Sequence, residues 1–231
     1  MAINLNLGWD MVRKEMKNSG YLRTLNRVAF NVVNRFLLFR VLKCVAIRSV
    51  DHSYLGRNYN YLYEFLDNDL LFELAESKEN GLPKEFVQEA LEKGDECFGI
   101  MDGDTLASFG WYSNKPTLVS FGSDEDEKND LCLYFSGDHI YMYNGYTNNN
   151  YRGQRLHAIG MTRALKEYLD RDFKGIVSYV EANNYASLNS CYRMGYKDFG
   201  KIYILKIFGR YIIHHTKGCK EFDFSLKYMG N

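Results

Sequence analysis

The sequence predicts an α/β fold in which helices flank a sheet, with a helical extension at the N-terminus. Apolar runs of strand length alternate with segments whose apolar residues recur at helical spacing. The sequence Asp102-Gly103-Asp104 joins two strand-like runs, which is typical of a β-hairpin. The tyrosine-rich run 139–146 leads through a polar loop into a helical pattern, which indicates a strand–loop–helix unit. These three observations set the fold class.

Before the hairpin, helical and extended patterns follow one another. Apolar residues recur at helical spacing through 10–39, which predicts a helix, and the apolar run 41–50 is typical of a first strand. Two shorter helices are predicted near Asp69–Ser77 and Lys84–Lys93. The strands of the hairpin are expected at 97–101 and 105–111.

After the hairpin, the chain contains an acidic turn at 123–130, further strands and two helices. Strands are expected at 131–135 and 139–146, and a helix opens at Arg152-Gly153. The remaining predicted elements are a strand at 175–180, a short helix at 186–193 stopped by Gly195, and a C-terminal hairpin formed by 201–208 and 211–215.

Composition and charge exclude several classes of protein. The 231 residues suit one domain with an appendage, and the net charge is zero. Residues 1–58 carry a net charge of +7, residues 59–130 of −13 and residues 131–231 of +6, which sum to zero. This asymmetry indicates either a basic arm with an acidic neighbour or segments that face each other. No nucleic-acid partner is expected, because the basic residues belong to no recognised binding module.

The cysteines and histidines predict no metal site. The five cysteines are scattered with no C-x-x-C pair, and the five histidines form no ligand cluster, so a reduced chain in the cytoplasm is expected. The start of the sequence has no signal-peptide pattern. The apolar region 28–50 is interrupted by polar and charged residues, so we expect no membrane-spanning helix there.

The stretch 141–196 carries the functional signal. A polar loop at 148–150 follows the predicted strand 139–146, and Arg152-Gly153 then begins a helix. A glycine-containing loop that begins a helix presents free backbone N–H groups and the positive end of the helix dipole. An anion such as a pyrophosphate is therefore the expected ligand.

Two motifs within this stretch resemble those of a known family. They comprise Tyr151-Arg152-Gly153-Gln154-Arg155-Leu156-His157 and, further on, Val180, Asn184, Ser187, Gly195 and Tyr196. They resemble the GNAT superfamily of acyl-CoA N-acyltransferases. The family's pyrophosphate loop reads Arg/Gln-x-x-Gly-x-Gly/Ala, and its second motif reads Val-x-x-x-Asn-x-x-Ala-x-x-x-Tyr-x-x-x-Gly-Phe. The order of predicted elements extends the likeness to 41–216.

The resemblance implies a fold, a co-substrate and a set of binding residues. It implies a mixed central sheet of about seven strands, splayed between its fourth and fifth strands, over 41–231, with the helical extension at 1–40. Acetyl-CoA or another acyl-CoA would place its pantetheine in the splay, where backbone donors of the fourth strand hold the thioester carbonyl. The implied CoA-binding residues are Tyr146, Thr147, Arg152, Gly153, Gln154, Arg155, Leu156, His157, Ala158, Asn184 and Ser187.

The chain departs from the family pattern in the loop and at the proton donor. Arg155 replaces the second loop glycine and is expected either to contact phosphate or to crowd the loop, and His157 replaces the closing glycine or alanine. Counting back from Gly195, the family's proton-donating tyrosine falls on Cys191, and Tyr192 lies about 100° further round the helix. Both are candidate donors, with passive packing as the alternative for Cys191. No acyl-enzyme is expected.

A general base must accept the proton of the acceptor amine. Glu181, just past the fifth strand, is the first candidate, and a solvated carboxylate at the asparagine turn is the alternative. His139, Tyr143 and Asn144 on the fourth strand are further candidates, with core packing as the alternative for the tyrosine. His157 is expected to be a neutral helix-face residue or a phosphate donor, because the helix dipole disfavours imidazolium.

The expected function is acyl transfer from an acyl-CoA to an amine by direct attack in a ternary complex. Acetyl transfer to a primary amine of a small molecule such as an amino sugar is the leading hypothesis. The alternatives are long-chain acylation of an amino acid or lipid amine, and a non-catalytic CoA-binding regulator. Three roles are left open for the arm at 1–40. It packs on its own domain, it lies on the inner face of a membrane, or it binds a partner such as an acyl-carrier protein. A homodimer is also left open.

Overall fold

The computed structural model describes residues 38–56, 60–119, 131–207 and 210–229. Within these residues the α-helices are α1 (His52–Leu55), α2 (Asn68–Ala75), α3 (Lys84–Lys93), α4 (Leu156–Asp170) and α5 (Tyr185–Arg193). The strands are β1 (Leu38–Ile47), β2 (Leu62–Phe65), β3 (Glu96–Asp102), β4 (Thr105–Ser113), β5 (Thr117–Val119), β6 (Leu131–Tyr134), β7 (Ile140–Thr147), β8 (Ile176–Glu181), β9 (Lys197–Ile207), β10 (Arg210–His215) and β11 (Ser225–Tyr228). Short 3-10 helices cover Lys78–Asn80, Asn149–Tyr151 and Lys217–Phe222.

Eight strands form one mixed sheet, and three form a smaller one. The large sheet has the order β10-β9-β1-β8-β7-β4-β3-β2, and the small sheet has the order β11-β6-β5. β7 and β8 are parallel, whereas the other neighbouring strands of the large sheet are antiparallel. The predicted α/β class and the flanking helices are confirmed, and the large sheet has one strand more than the seven expected.

β1 lies in the interior of the large sheet, between β8 and β9. Its apolar residues are buried on both faces of the sheet. Val45 and Ile47 pack with α4, whereas Leu42 and Cys44 pack beside the small sheet. An apolar run without polar alternation is typical of such a strand. The predicted first strand is therefore confirmed, but it begins at Leu38 and ends at Ile47.

The two faces of the large sheet are covered by different elements. α1, α4 and α5 cover one face, which we call the α4 face, and their core includes Ile159 and Leu165 of α4. α2, α3 and the small sheet cover the opposite face. Tyr143 of β7 joins the two core clusters on that opposite face.

β7 and β8 separate soon after they begin. Their parallel pairing is limited to Ile140 opposite Ile176 and Tyr141 opposite Val177. The Ser178 hydroxyl donates to the Met142 carbonyl at 2.9 Å, just where the ladder ends. Among the described residues, the edge of β7 beyond Met142 therefore faces a gap instead of a neighbouring strand. The splay expected between the fourth and fifth strands is confirmed.

Most predicted elements are present with shifted bounds. The helix predicted at 10–39 lies outside the described residues up to residue 37, and its last two residues, Leu38 and Phe39, belong to β1. The acidic turn at 123–130 also lies outside them. The sequence reading missed β2, β5, β11 and α1, each of which has only three or four residues. Such short segments carry too little periodicity to be recognised.

Two classes of feature are absent from the described part of the chain. None of its helices is long and apolar enough to span a membrane. None of its His, Cys, Asp and Glu residues form a group of three or more that could hold a metal ion.

Candidate active site

The N-terminus of α4 is open to a ligand. The Ile159 N–H donates to the Arg155 carbonyl at 3.1 Å, which begins the hydrogen-bond ladder of the helix. The N-cap residue Arg155 makes no side-chain capping bond. The first four N–H groups of a helix have no partner within it, so these donors are left for an anion. Gly153 has φ +85°, and a Cβ there would meet nothing within 4 Å.

Arg155 adopts a backbone conformation that is usual for glycine and uncommon for other residues. Its φ of +62° lies in the left-handed region. A non-glycine residue in this region costs about 1–2 kcal/mol. The backbone at Arg155 is therefore strained, and the residue lies at the N-cap of α4.

A cavity of about 480 Å³ opens between the N-terminus of α4 and the last turn of α5. It is lined by Tyr54, Gly153, Arg155, His157, Ala158, Ser190, Arg193 and Met194. Arg155 and Arg193 supply two positive charges, and none of the described residues that line the cavity is a carboxylate. A cavity with two guanidinium groups at an uncapped helix N-terminus is suited to phosphate groups.

A β-bulge distorts β7 beside this cavity. Tyr143 pairs with Trp111 and Tyr146 pairs with Phe109, so Asn144 and Gly145 both oppose Gly110. Asn144 has φ +45°. Bulges re-aim the backbone and interrupt pairing, and they are common next to active sites. The bulge lies on the part of β7 that is no longer paired with β8.

His157 packs onto the bulge from the first turn of α4. A Cβ built on Gly145 would lie 2.4 Å from His157 Cε1 and 3.1 Å from Nδ1, so only glycine allows this contact. The imidazole is partly buried, and one side of it lines the cavity. Burial lowers the pKa of His157 to about 4, so the ring is neutral at pH 7.

The other predicted loop residues have different surroundings. The Arg152 Nε atom donates to the Thr147 carbonyl at 3.4 Å, which ties the loop to the end of β7. The Gln154 Oε1 atom accepts from the Tyr61 hydroxyl at 2.9 Å. Leu156 is buried in the core at 1% exposure. Of these three, only Arg152 is joined to the end of the strand that faces the splay.

Tyr146 and Thr147 form the end of β7 and are held in place by Ser108. The Ser108 hydroxyl donates to the Tyr146 carbonyl at 2.8 Å and lies 2.9 Å from the Thr147 hydroxyl. The Tyr146 ring packs against Phe109 and closes on Gly81, where a Cβ would lie 3.3 Å from it. The backbone at the end of β7 is therefore fixed by its neighbours.

Asn184 and Ser187 begin α5. The Asn184 Oδ1 atom accepts from the Ser187 N–H at 3.1 Å and caps the helix. The residues of α5 that line the cavity are Ser190, Arg193 and Met194. Sequence reasoning missed all three. They lie three, six and seven residues after Ser187, a spacing that marks one side of the helix and could have identified them.

Cys191 and Tyr192 do not line the cavity. Cys191 packs against the core of the α4 face, and burial raises the pKa of its thiol to about 11. Proton transfer from such a thiol to a thiolate of ordinary basicity, about 8.5, is uphill. The Tyr192 hydroxyl instead lies between Lys43 and Asp198, 2.8 Å from each. The structure therefore gives neither residue direct access to a ligand in the cavity.

Glu181 lies on the opposite face of the sheet, at the end of β8. Its Oε1 atom forms an ion pair with Arg40 Nε at 3.2 Å. The Glu181 carbonyl accepts from the Asn184 N–H at 2.9 Å, which forms the turn into α5. The carboxylate is 36% exposed, so water can reach it. The structure thus places Glu181 near the splay but not in the cavity on the α4 face.

Stacked tyrosines fill the splay on the opposite face. The Tyr141 ring stacks on Tyr143 at 5.6 Å and on Tyr179 of β8 at 6.1 Å. The Tyr143 hydroxyl donates to the Asp95 Oδ2 atom, which also pairs with Lys93 Nζ at 2.5 Å. Burial first, and then the bond to Asp95, raises the pKa of Tyr143. Tyr143 is therefore a packing residue with an anchored hydroxyl.

His139 lies immediately before β7, at the end of the strand that is far from the bulge. Its Nδ1 atom lies 2.6 Å from Asp138 Oδ1, and its ring packs against Phe222 at 5.1 Å. It is 3% exposed. The structure therefore does not bring His139 to the cavity, and Asn144 is part of the bulge itself.

Replacing Arg155 by glycine is expected to stabilise the protein by about 1 kcal/mol, because the left-handed conformation is unstrained in glycine. The midpoint of urea unfolding should rise. Arg152→Gly is the matched control, since Arg152 has an ordinary φ of −65°. That control should be destabilised by about 0.5–1 kcal/mol. A loss of stability in Arg155→Gly would show that the guanidinium makes contacts that outweigh the strain.

The chain is similar in fold to several solved structures. A GCN5-related N-acetyltransferase-like protein from Streptococcus suis is 13% identical, with a TM-score of 0.47 over 83% of this chain and 68% of that one. An acetyltransferase of the GNAT family from Novosphingobium aromaticivorans is 11% identical, with a TM-score of 0.46 over 72% of this chain and 64% of that one. A glucosamine N-acetyltransferase region of a fungal multi-domain GH3 β-N-acetylglucosaminidase is 14% identical, with a TM-score of 0.49 over 84% of this chain and 23% of that one.

The sequence matches no protein-family model and no curated protein. The chain spans less than two thirds of the length of the Novosphingobium protein. The functional assignment below is therefore built on the geometry of the site.

Proposed function

We propose that this protein is an acyl-CoA-dependent N-acyltransferase that transfers an acetyl group from acetyl-CoA to a primary amine of a small molecule such as an amino sugar. One observation carries the proposal. An uncapped helix N-terminus with two arginines opens on a cavity that lies beside the bulge and splay of β7. The first part suits the phosphates of CoA, and the second suits an extended pantetheine.

The residues at the cavity fit the phosphate groups of CoA. The first N–H groups of α4 point to the ligand without competition from a side-chain cap. Arg155 and Arg193 line the same cavity and can each donate two hydrogen bonds to phosphate oxygens. Gly153 leaves open space in which a phosphate can approach the backbone. Arg152 would hold the loop against the end of β7 through the Thr147 carbonyl.

The gap beside β7 fits the thioester arm of the co-substrate. Beyond Met142 the strand edge has no neighbour in β8, so its backbone groups can bond to the amide groups of pantetheine. Tyr146 and Thr147 would contact this arm through their backbone. The amine lone pair would form the C–N bond, the C–S bond would break, and the proton lost by the amine would balance the thiolate that leaves.

The assignments of the proton carriers stay proposals. Glu181 is the candidate base and would act through water, because its ion pair with Arg40 occupies one carboxylate oxygen. Tyr192 lies in a network with Lys43 and Asp198, so a role as donor would require that network to open. Cys191 would have to leave its packed position. Solvent access through the cavity provides the simplest route for protonating the thiolate.

The acyl group is expected to be short. The stacked Tyr141, Tyr143 and Tyr179 rings fill the opposite face of the splay, where a long chain would have to pass. If a tunnel were present, each buried methylene would strengthen binding by about 0.8 kcal/mol. Dissociation constants for acetyl-, hexanoyl- and dodecanoyl-CoA should therefore show no gain in affinity beyond the acetyl group. A steady rise with chain length would support long-chain transfer instead.

The experiment that tests the proposed activity is release of free CoA from acetyl-CoA in the presence of amines. Amino sugars, amino acids and polyamines would be compared, with hexanoyl-CoA and dodecanoyl-CoA as further donors. Amine-dependent release above the rate of hydrolysis would support the proposal. Tight CoA binding without release for any amine would favour the second candidate, a CoA-binding regulator. The regulator is considered because Arg155 and Cys191 depart from the family pattern.

The cellular context is also proposed. The five cysteines are free thiols, and Cys219 Sγ donates a hydrogen bond to Cys44 Sγ at 4.0 Å without forming a disulfide. A reducing compartment such as the cytoplasm suits such a chain. Contact with a membrane surface or an acyl-carrier protein through 1–40, and a homodimer, would be tested by sedimentation with vesicles and by the mass of the particle in solution.

A further inference from the structure

His157 occupies a space that a smaller residue would leave empty. The corresponding position of the family loop holds glycine or alanine, whereas this chain places an imidazole there. The ring rests on the bare Cα of Gly145, since a Cβ there would lie 2.4 Å from Cε1. Gly145 is one of the two bulge residues, so the imidazole is in contact with the distorted part of β7.

The imidazole lies between the cavity and the interior. It lines the cavity of about 480 Å³ together with Arg155 and Ser190. On its inner side it borders a void of about 10 Å³ next to Ser108 and Gly160. No hydrogen bond within the described part of the chain involves a ring nitrogen of His157. A polar ring held in this way has donor and acceptor capacity to offer a ligand.

The ring carries no charge at neutral pH. Burial lowers its pKa to about 4, and the positive end of the α4 dipole acts in the same direction. A neutral imidazole has one N–H donor and one acceptor nitrogen. It can therefore polarise a carbonyl by hydrogen bonding without giving up its proton.

We propose that His157 is a catalytic residue whose ring N–H donates a hydrogen bond to the carbonyl oxygen of the acyl thioester. This inference rests on the proposed function. When the amine lone pair forms the C–N bond, the π pair of the carbonyl moves onto the oxygen, where the His157 donor holds the negative charge. The pair returns as the C–S bond breaks, and the proton released by the amine neutralises the thiolate. A preorganised donor of this kind stabilises the transition state more than the ground state.

The contact can be tested before the acceptor amine is known. S-acetonyl-CoA carries a carbonyl that cannot react, and S-propyl-CoA lacks it. Calorimetric dissociation constants for both ligands would be measured with wild type, His157→Ala and His157→Gln. A neutral hydrogen bond contributes about fivefold in affinity. Wild type should therefore prefer S-acetonyl-CoA by about fivefold, His157→Ala should lose that preference, and His157→Gln should retain part of it because the amide keeps a neutral donor.

The outcomes separate this inference from the proposed function. The role of His157 would be overturned if His157→Ala lost equal affinity for both ligands or kept the preference for S-acetonyl-CoA. Either result would leave acyl-CoA binding in place. Failure of wild type to bind either ligand would overturn the proposed function as well. With an amine substrate, His157→Ala should lower kcat about a hundredfold while the KM for acyl-CoA changes little. A fall in affinity with kcat unchanged would assign His157 to binding alone.

Discussion

Replacing Asp95 by alanine is expected to destabilise the protein by about 3 kcal/mol. Asp95 is 4% exposed, and its Oδ2 atom accepts from the Tyr143 hydroxyl and pairs with Lys93 Nζ at 2.5 Å. The alanine variant would leave the Tyr143 hydroxyl and the Lys93 ammonium without their partner in a poorly solvated place. The free energy of unfolding in urea measures the effect. Asp95→Asn should lower the free energy of unfolding by about half as much, because the amide oxygen can still accept from the Tyr143 hydroxyl.

Asp170→Ala is the matched control for Asp95. Asp170 pairs with Lys166 at the same distance of 2.5 Å, but its side chain is 59% exposed. An exposed pair of this kind contributes about 0.5 kcal/mol or less. Equal effects of the two alanine variants would contradict the account of Asp95 as a buried anchor. Because Tyr143 immediately precedes the bulge, Asp95→Ala should also weaken acyl-CoA binding.

The second large effect is expected at Gly145. A Cβ there would lie 2.4 Å from His157 Cε1 and 2.8 Å from Met142 Cε, so Gly145→Ala should cost about 1–3 kcal/mol through overpacking. The ring of His157 would have to move away from the bulge. The protein should then no longer prefer S-acetonyl-CoA over S-propyl-CoA. Gly137→Ala is the control, since a Cβ on Gly137 meets nothing within 4 Å.

A double-mutant cycle identifies which contact causes the loss. Adding His157→Ala to Gly145→Ala removes the ring from the clash, so the double variant should be more stable than the sum of the single effects predicts. The coupling should be about 1 kcal/mol or more. Additive effects would show that Met142 or the backbone, rather than His157, opposes the added methyl group.

The sequence was sufficient for the elements that carry strong local signals. The hairpin around Gly103, the helix over Lys84–Lys93 and the strand–loop–helix unit around Gly153 were all predicted from turn residues and periodicity. These features depend on residues close together in the chain.

The remaining features depend on distant partners. β1 lies between β8 and β9, which are more than a hundred residues away in sequence. The local pattern of Leu38–Ile47 does not predict which strands pair with it. Asp95 and Tyr143 are 48 residues apart, so their bond was not predictable. On α5, counting from Gly195 pointed to Cys191, whereas Ser190 and Arg193 line the cavity. The packing of the helix determines which side faces the ligand.

The central claim is that CoA phosphates bind where α4 begins, and calorimetry with CoA tests it most directly. Arg193→Glu removes a donor and adds a negative charge at the cavity, so it should weaken binding at least about tenfold. Arg210→Glu makes the same charge change at an exposed position on the edge strand β10 and should leave the dissociation constant unchanged. No binding of CoA to the wild-type protein, or equal dissociation constants for the two variants, would contradict the claim.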